Sequence, residues 1–264
     1  MSDLAEQYAT DENLRIRIET HRLYTVGPPL EPAVDAALVL SGTESILDMG
    51  CGPGDFLIRL HNRGHRGPLV GIDNSAGMIA KAKSSALNIH FLQADAQQIP
   101  FENESFDVIT ARHMLYHVPE IRLALSEAHR VLKPGGKFLA ITNIQDNFAE
   151  YRQALREAAD LLAGKISDAV RIVVPASDKF NDQNGPQYIG RAFGNVSTSF
   201  VEAALRFETA EPALRYFDSC RTMKGLSVED WRLAREQFAN VIARRLENGP
   251  WLISKTVVIF TATK

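Results

Sequence analysis

Between residues 45 and 142, short apolar runs alternate with stretches in which apolar residues recur every three or four positions. That alternation is the sequence form of a parallel sheet covered by helices on both faces. The runs SILDM (45–49), PLVGID (68–73), IHFLQAD (89–95), FDVITA (106–111) and GKFLAIT (136–142) predict five strands, each ending near a polar residue or glycine. Asp55 opens one helix through Phe56, Leu57 and Leu60, and Ser75 is placed to cap the segment carrying Met78 and Ile79. A third helix is expected from Glu120 to Leu132. It stops at LKPGG, where Pro134 cannot continue a helix and Gly135 and Gly136 permit the turn into the fifth strand.

Outside this block the pattern loosens. Residues 11–21 and 32–40 read as helices that precede the first strand, so residues 1–43 form an expected N-terminal helical cap segment on a domain spanning 44–264. NFAEYRQALREAADLLAG (147–164) is a strong helical pattern. The turn-rich SDKFNDQNGPQYIG (177–190) reads as insertion rather than core, which gives a lid-like insertion at about 143–191. VSTSFVEAALRFE predicts a sixth strand, residues 210–245 two helices, and LISKTVVIFTATK a final strand.

The composition narrows the functional classes. With 45% hydrophobic and 23% charged residues the chain is globular in type. A net charge of -3 supplies no general basic field, so nucleic acid is not an expected partner. No apolar leader and no run of about 18 apolar residues occurs, so a cytoplasmic protein without membrane association is expected. Cys51 and Cys220 cannot form a disulfide framework or a four-cysteine zinc site, and no metal is expected.

The chemistry-bearing signal is LDMGCGPGDF at 47–56. Gly50, Gly52 and Gly54 lie between a strand and a helix, where an open α/β sheet binds ligands beyond its strand ends. The third small residue of a dinucleotide fingerprint is replaced by Asp55, whose carboxylate opposes a pyrophosphate, and Pro53 removes a backbone donor. A nucleoside ligand without phosphates fits better. Asp73 ends the second strand, where a carboxylate accepts hydrogen bonds from ribose hydroxyls, and Asp95 ends the third. Cys51, inside the loop, reads as a packing residue.

Four linked segments, ILDMGCGPGDF, GIDNSAGMI, FLQADAQQIPFENESFDVITARHMLYHV and ALSEAHRVLKPGGKFLAIT, resemble in their order the class I S-adenosylmethionine-dependent methyltransferases, in particular the small-molecule, quinone-biosynthesis-like bacterial type. The resemblance spans roughly residues 44–142. It implies a Rossmann-like α/β fold with a seven-stranded, mostly parallel sheet and an antiparallel last strand beside the fifth, a place that LISKTVVIFTATK suits. It further implies S-adenosyl-L-methionine as cofactor and a small-molecule methyl acceptor. Asp48 and the loop Gly50, Cys51, Gly52 and Gly54 would pass the methionine part, and Asp73, with Asn74 beside it, would hold the ribose. Met78, Asp95 and Ala96 would surround the adenine, and Arg112 would lie near the methionine moiety.

Methyl transfer needs orientation and, for a protonated acceptor, a base. His113 and His117, which share a face if their segment is helical, are the candidate catalytic groups, and they fit structural hydrogen bonding or cofactor contact equally well. Acceptor contacts are expected from Tyr8 and Tyr24 in the N-terminal segment, where Arg15, Arg17 and His21 also lie, and from Tyr116 and Tyr151. Two other functions fit the same residues: a non-methylating enzyme of this fold, such as a cyclase or a carboxymethyl-transfer enzyme, and a non-catalytic binding module.

Overall fold

The computed structural model describes residues 12–85, 88–162, 171–172, 176–220, 223–224 and 227–264. Chain order runs α1 (Glu12–Tyr24), β1 (Thr25–Val26), α2 (Leu30–Leu38), β2 (Ile46–Met49), α3 (Asp55–Asn62), β3 (Leu69–Asp73), α4 (Ala76–Ser85) and β4 (His90–Gln93). It continues with β5 (Phe106–Arg112), α5 (Ile121–Val131), β6 (Leu132–Asn143), α6 (Ala149–Asp160), β7 (Arg171–Ile172) and α7 (Gly185–Phe193). The last elements are β8 (Ser197–Phe207), α8 (Ala210–Cys220), β9 (Met223–Lys224), α9 (Val228–Leu246) and β10 (Trp251–Thr263).

One eight-stranded sheet has the order β1, β8, β10, β6, β5, β2, β3, β4. The pairs from β6 to β4 are parallel, and β10 runs antiparallel between β6 and β8. The expected antiparallel strand beside the fifth is therefore present. The expected count of seven is corrected to eight, because Thr25 and Val26 pair with Leu205 and Ala204 at the edge. Two residues carry too little hydrophobic pattern to announce a strand. Central β2 is buried throughout and lies between β3 and β5, as a continuous apolar run requires.

Successive residues of β2 point to opposite faces. Leu47 and Met49 join Ile109, Leu125, Ala128 and Phe138 in one core, whereas Ile46 joins Val34, Phe56, Leu57, Leu60 and Leu139 in another. Each fully buried Leu, Ile or Phe of these layers contributes about 1.5–3 kcal/mol. Pro134–Gly136 bulges out of β6 rather than preceding it: Phe106 pairs with Leu132 and Val108 with Lys137. Gly135 holds φ +76 in that bulge.

β8 and β10 are longer than the sheet is deep. β10 pairs with β6 only from Val257 onward, while Trp251–Thr256 pairs with β8 alone. Because β10 is antiparallel, this free ribbon projects past the C-terminal ends of the parallel strands. There Leu205, Phe207, Trp251 and Ile253 pack against Tyr151, Leu155, Leu214, Phe217, Phe238 and Ile242 from α6, α8 and α9. α1 lies against α8, with Glu19 paired to Arg215 at 2.9 Å. A cap with its own core thus stands over the strand ends.

Segment 177–190 corrects the reading of insertion rather than core. Phe180 and Ile189 are fully buried and, with Phe193, join Phe138 and Phe260 in the first core. Polar turn residues dominate the local pattern, yet a few large side chains at helical spacing suffice to cover the sheet. Residues 163–170, at the end of the expected long helix, lie outside the described residues.

Candidate active site

The loop after β2 turns only because its glycines adopt left-handed conformations: φ is +64 at Gly50, +55 at Gly52 and +86 at Gly54. A Cβ at Gly50 would lie 2.6 Å from Met114 Cβ, and one at Gly54 would lie 2.6 Å from Phe91 Cζ. At Gly52 a Cβ would meet nothing within 4 Å, so this glycine borders open space. Cys51 is buried, and burial pushes its thiol far up, which suits packing and opposes a nucleophilic role.

Asp73 closes the other side of the loop. Its Oδ2 accepts from the Gly52 amide at 2.9 Å and its Oδ1 from the Ser75 amide at 2.8 Å. Each oxygen keeps a further acceptor direction. Ser75 Oγ in turn accepts from the Met78 amide at 3.3 Å, and Met78 is buried at the start of α4. Asn74 is exposed, and its carbonyl accepts from Gln93. β4 stops at Gln93, so Asp95 lies in the following turn rather than on the strand, where its carboxylate accepts from the Gln97 amide at 2.8 Å. Ala96 beside it is buried.

Asp48 is enclosed on β2, accepting from Thr110 Oγ1 at 2.6 Å across the strand pair. Burial pushes its carboxyl up to about 6, opposed by the Arg112 charge and the Thr110 hydrogen bond. Arg112, ending β5, binds Glu31 of α2 at 2.8 Å and lies 4.6 Å from the centre of the Phe56 ring. Arg59 reaches the same Glu31 at 2.7 Å and Asp35 at 2.9 Å. α2 is thereby tied to the helix that follows the glycine loop.

Between the strand ends and the cap lies the second half of the site. His113 follows β5 with φ +52, its amide donating to the Ile141 carbonyl at 2.8 Å. The short helical turn begins only at Leu115, so the shared helical face expected for His113 and His117 does not form. The rings are still within electrostatic reach of each other, and His113 likewise of His21 on α1. Burial is the main cause that lowers His21 and His113 to about 3 and His117 to about 4, with added repulsion from cations. All three are neutral at pH 7.

His21 stacks on Phe148 at 5.8 Å and meets Tyr216 edge-on at 5.7 Å, and Tyr216 meets Tyr151 at 5.6 Å. Phe148 holds φ +58 with its amide donating to the Ser254 carbonyl. His21 Nδ1 and the Tyr151 hydroxyl are buried without a hydrogen-bond partner among the described residues. Tyr151 is otherwise enclosed by Phe238 and Trp251. The Tyr116 ring packs on His117 at 4.5 Å. Tyr24 instead packs on Phe207 and lines a surface groove with Glu19, Pro212 and Arg215. Tyr8 lies outside the described residues.

Glu31, Thr110, Phe148, Tyr216 and Lys255 were not singled out by the sequence pattern. Thr110 lies within the FDVITAR run, but no motif marks the others, and only the fold brings them together. Another groove, lined by Leu38, Glu44, Asp107, Lys133 and Lys137, lies at the opposite end of the strands. Its Lys133 and Asp107 are paired at 2.8 Å, so it offers little unsatisfied chemistry. Among the described residues no group of three or more His, Cys, Asp or Glu could hold a metal, and no helix is long and apolar enough to cross a membrane.

The family model described as a methyltransferase domain matches residues 46–136, the segment that builds the glycine loop, Asp73, Asp95 and His113. A demethylmenaquinone methyltransferase of Lactococcus lactis is 42% identical over 116 residues, covering 42% of this chain and 46% of the relative. The chain thus spans about half the length of the relative it matches. Among solved structures, a Bacillus halodurans protein superposes with TM-score 0.59 at 19% identity, covering 90% of this chain and 99% of that one. A SAM-dependent methyltransferase of Thermotoga maritima gives 0.56 at 17% identity, covering 98% of this chain and 100% of that one. These likenesses establish the Rossmann-like fold.

Proposed function

With residues 46–136 matched by a methyltransferase domain, we propose that this chain is an S-adenosyl-L-methionine-dependent methyltransferase acting on a small molecule. The observation that carries it is the Asp73 carboxylate, held by the Gly52 and Ser75 amides at the rim of a loop that borders open space. Such an acceptor suits ribose hydroxyls, and the absence of a basic residue in GCGPGD suits a ligand without phosphates. The residues present therefore fit the cofactor. It would supply an activated methyl group, which passes to the acceptor as S-adenosylhomocysteine forms.

The chain's own groups divide the remaining work. Gly50, Cys51, Gly52 and Gly54 shape the seat, Asp48 and Arg112 bracket its inner end, and Asn74, Met78, Asp95 and Ala96 border the nucleoside side. His113 and His117 are the chain's own candidates to receive a proton that the acceptor releases, and burial, which lowers them to about 3 and 4, keeps them neutral but makes them weak bases. The cap carries Tyr151, Tyr216, Phe148 and His21 toward the strand ends and excludes water from the acceptor. Tyr116 borders the same histidines, whereas Tyr24 packs on Phe207 at a surface groove.

Calorimetric titration with S-adenosylmethionine and S-adenosylhomocysteine tests the proposal, and absence of binding by both overturns it. Incubation with methyl-labelled cofactor and a metabolite extract then tests the reaction. Label in a small product together with S-adenosylhomocysteine supports methyl transfer, whereas conversion without either points to other chemistry of this fold.

A further inference from the structure

Lys255 breaks an otherwise apolar face of β10. Its nearest neighbours on that face, Trp251, Ile253, Val257 and Ile259, are all buried, the first two in the cap core and the last two in the body core. Lys255 stands at the seam between those cores, half-buried, with Nζ donating to Thr25 Oγ1 at 3.2 Å. No carboxylate pairs with it among the described residues. Lysines are seldom left in such a place, because removing an ammonium from water costs several kcal/mol unless a counter-charge is supplied.

The charges acting on His21, His113 and His117 are those of Lys255, Arg17, Arg112 and Lys179, all cations, beside the other histidines. The nearby acids are engaged elsewhere: Asp218 with Arg235, Glu19 with Arg215, Glu31 with Arg112 and Arg59, and Glu150 with the Ser254 amide and hydroxyl. Beside this lysine Phe148, His21 and Tyr216 pack on one another, and His21 Nδ1 is buried without a partner among the described residues. Phe148 is held in a left-handed conformation that a non-glycine residue adopts only under constraint.

We propose that the seam at Lys255 takes an aromatic carboxylate bearing a ring hydroxyl as methyl acceptor: Lys255 would hold the carboxylate, Phe148, His21 and Tyr216 would lie along the ring, and the hydroxyl oxygen would bond to the methyl carbon as its bond to sulfur breaks, the hydroxyl proton leaving to solvent. A carboxylate is favoured over a phenolate because it is ionised at neutral pH without help. The inference rests on the methyl-transfer reading for the direction in which the acceptor faces the glycine loop. Lys255 acts as a binding residue and touches no reacting atom.

The test titrates protein saturated with S-adenosylhomocysteine with benzoate, hydroxybenzoates and naphthoates, and in parallel with the corresponding carboxamides. At least one acid is expected to bind about tenfold or more tightly than its amide, the size of a charge-assisted contact. In Lys255→Met that preference disappears, while Lys255→Arg keeps it within about threefold, and both variants bind S-adenosylhomocysteine as the parent does. Amides that match the acids, acids that fail to bind, or an unchanged preference in Lys255→Met would overturn the inference. Failure of the parent to bind S-adenosylhomocysteine overturns the methyl-transfer reading instead, so the two failures are distinguishable.

Discussion

The Gly52 amide donates to Asp73 Oδ2 at 2.9 Å, joining the loop after β2 to the end of the adjacent strand β3. A second amide, that of Ser75, fixes the other oxygen, so the carboxylate is oriented before any ligand arrives. Preorganisation of this kind removes an ordering cost from binding.

Asp73→Asn removes the charge and turns one acceptor into a donor that faces a backbone amide. S-adenosylhomocysteine is expected to bind about ten- to a hundredfold more weakly, in line with 1.5–3 kcal/mol for charge-assisted hydrogen bonds. Calorimetry reads this directly. An unchanged affinity removes Asp73 from the site.

Two alanine substitutions in the glycine loop separate folding from binding. Gly54→Ala combines φ +86 with a clash at Phe91 and should lower stability by roughly 2–4 kcal/mol in urea unfolding. Gly52→Ala, at φ +55 beside open space, should cost only about 1–2 kcal/mol. Its methyl group points where ligand is proposed, so the loss of S-adenosylhomocysteine affinity should exceed the loss of stability.

Asp48 makes the stability pH-dependent in an unusual direction. With its carboxyl raised to about 6 from an ordinary value of 3.8, the folded state holds a proton that the unfolded chain has released. That contribution is present below pH 3.8 and is lost as the pH rises through about 6. Asp48→Asn should match the parent near pH 4 and exceed it by on the order of 2 kcal/mol at pH 8, as shown by unfolding midpoints at the two pH values.

The buried histidines act in the opposite sense. His21 and His113, lowered from 6.5 to about 3, contribute stability above pH 6.5 that is lost as the pH falls toward 3. Replacing either with Asn should reduce the slope of stability against pH by about 1.4 kcal/mol per pH unit between about pH 6 and 4. If His113 receives the acceptor proton, His113→Asn also lowers kcat with S-adenosylhomocysteine affinity unchanged.

The elements of the proposed cofactor half of the site were legible because its parts are contiguous or regularly spaced. LDMGCGPGDF contains the strand, the turn and the helix start, and Asp73 follows at the end of the next apolar run. Asp95 was misplaced by two residues, since its carboxylate turns the chain through the Gln97 amide after β4 has ended. Segment 177–190 was misread because turn residues outnumber Phe180 and Ile189, the side chains that anchor it.

The proposed acceptor half was not legible in the same way. His113 and His117 were visible beside a strand end, but the pairing of Lys255 with Thr25 spans 230 positions, and His21 meets Phe148 and Tyr216 from three separate helical regions. Local periodicity and turn chemistry determine elements and the ligand loop, because they depend on neighbours in the chain. Which charges share a cavity, and whether a lysine on an apolar strand face is left without a carboxylate, is decided by tertiary packing. The antiparallel β10 carries the ribbon past the C-terminal ends of the parallel strands, and that extension brings Lys255 and the cap beside His21 and His113.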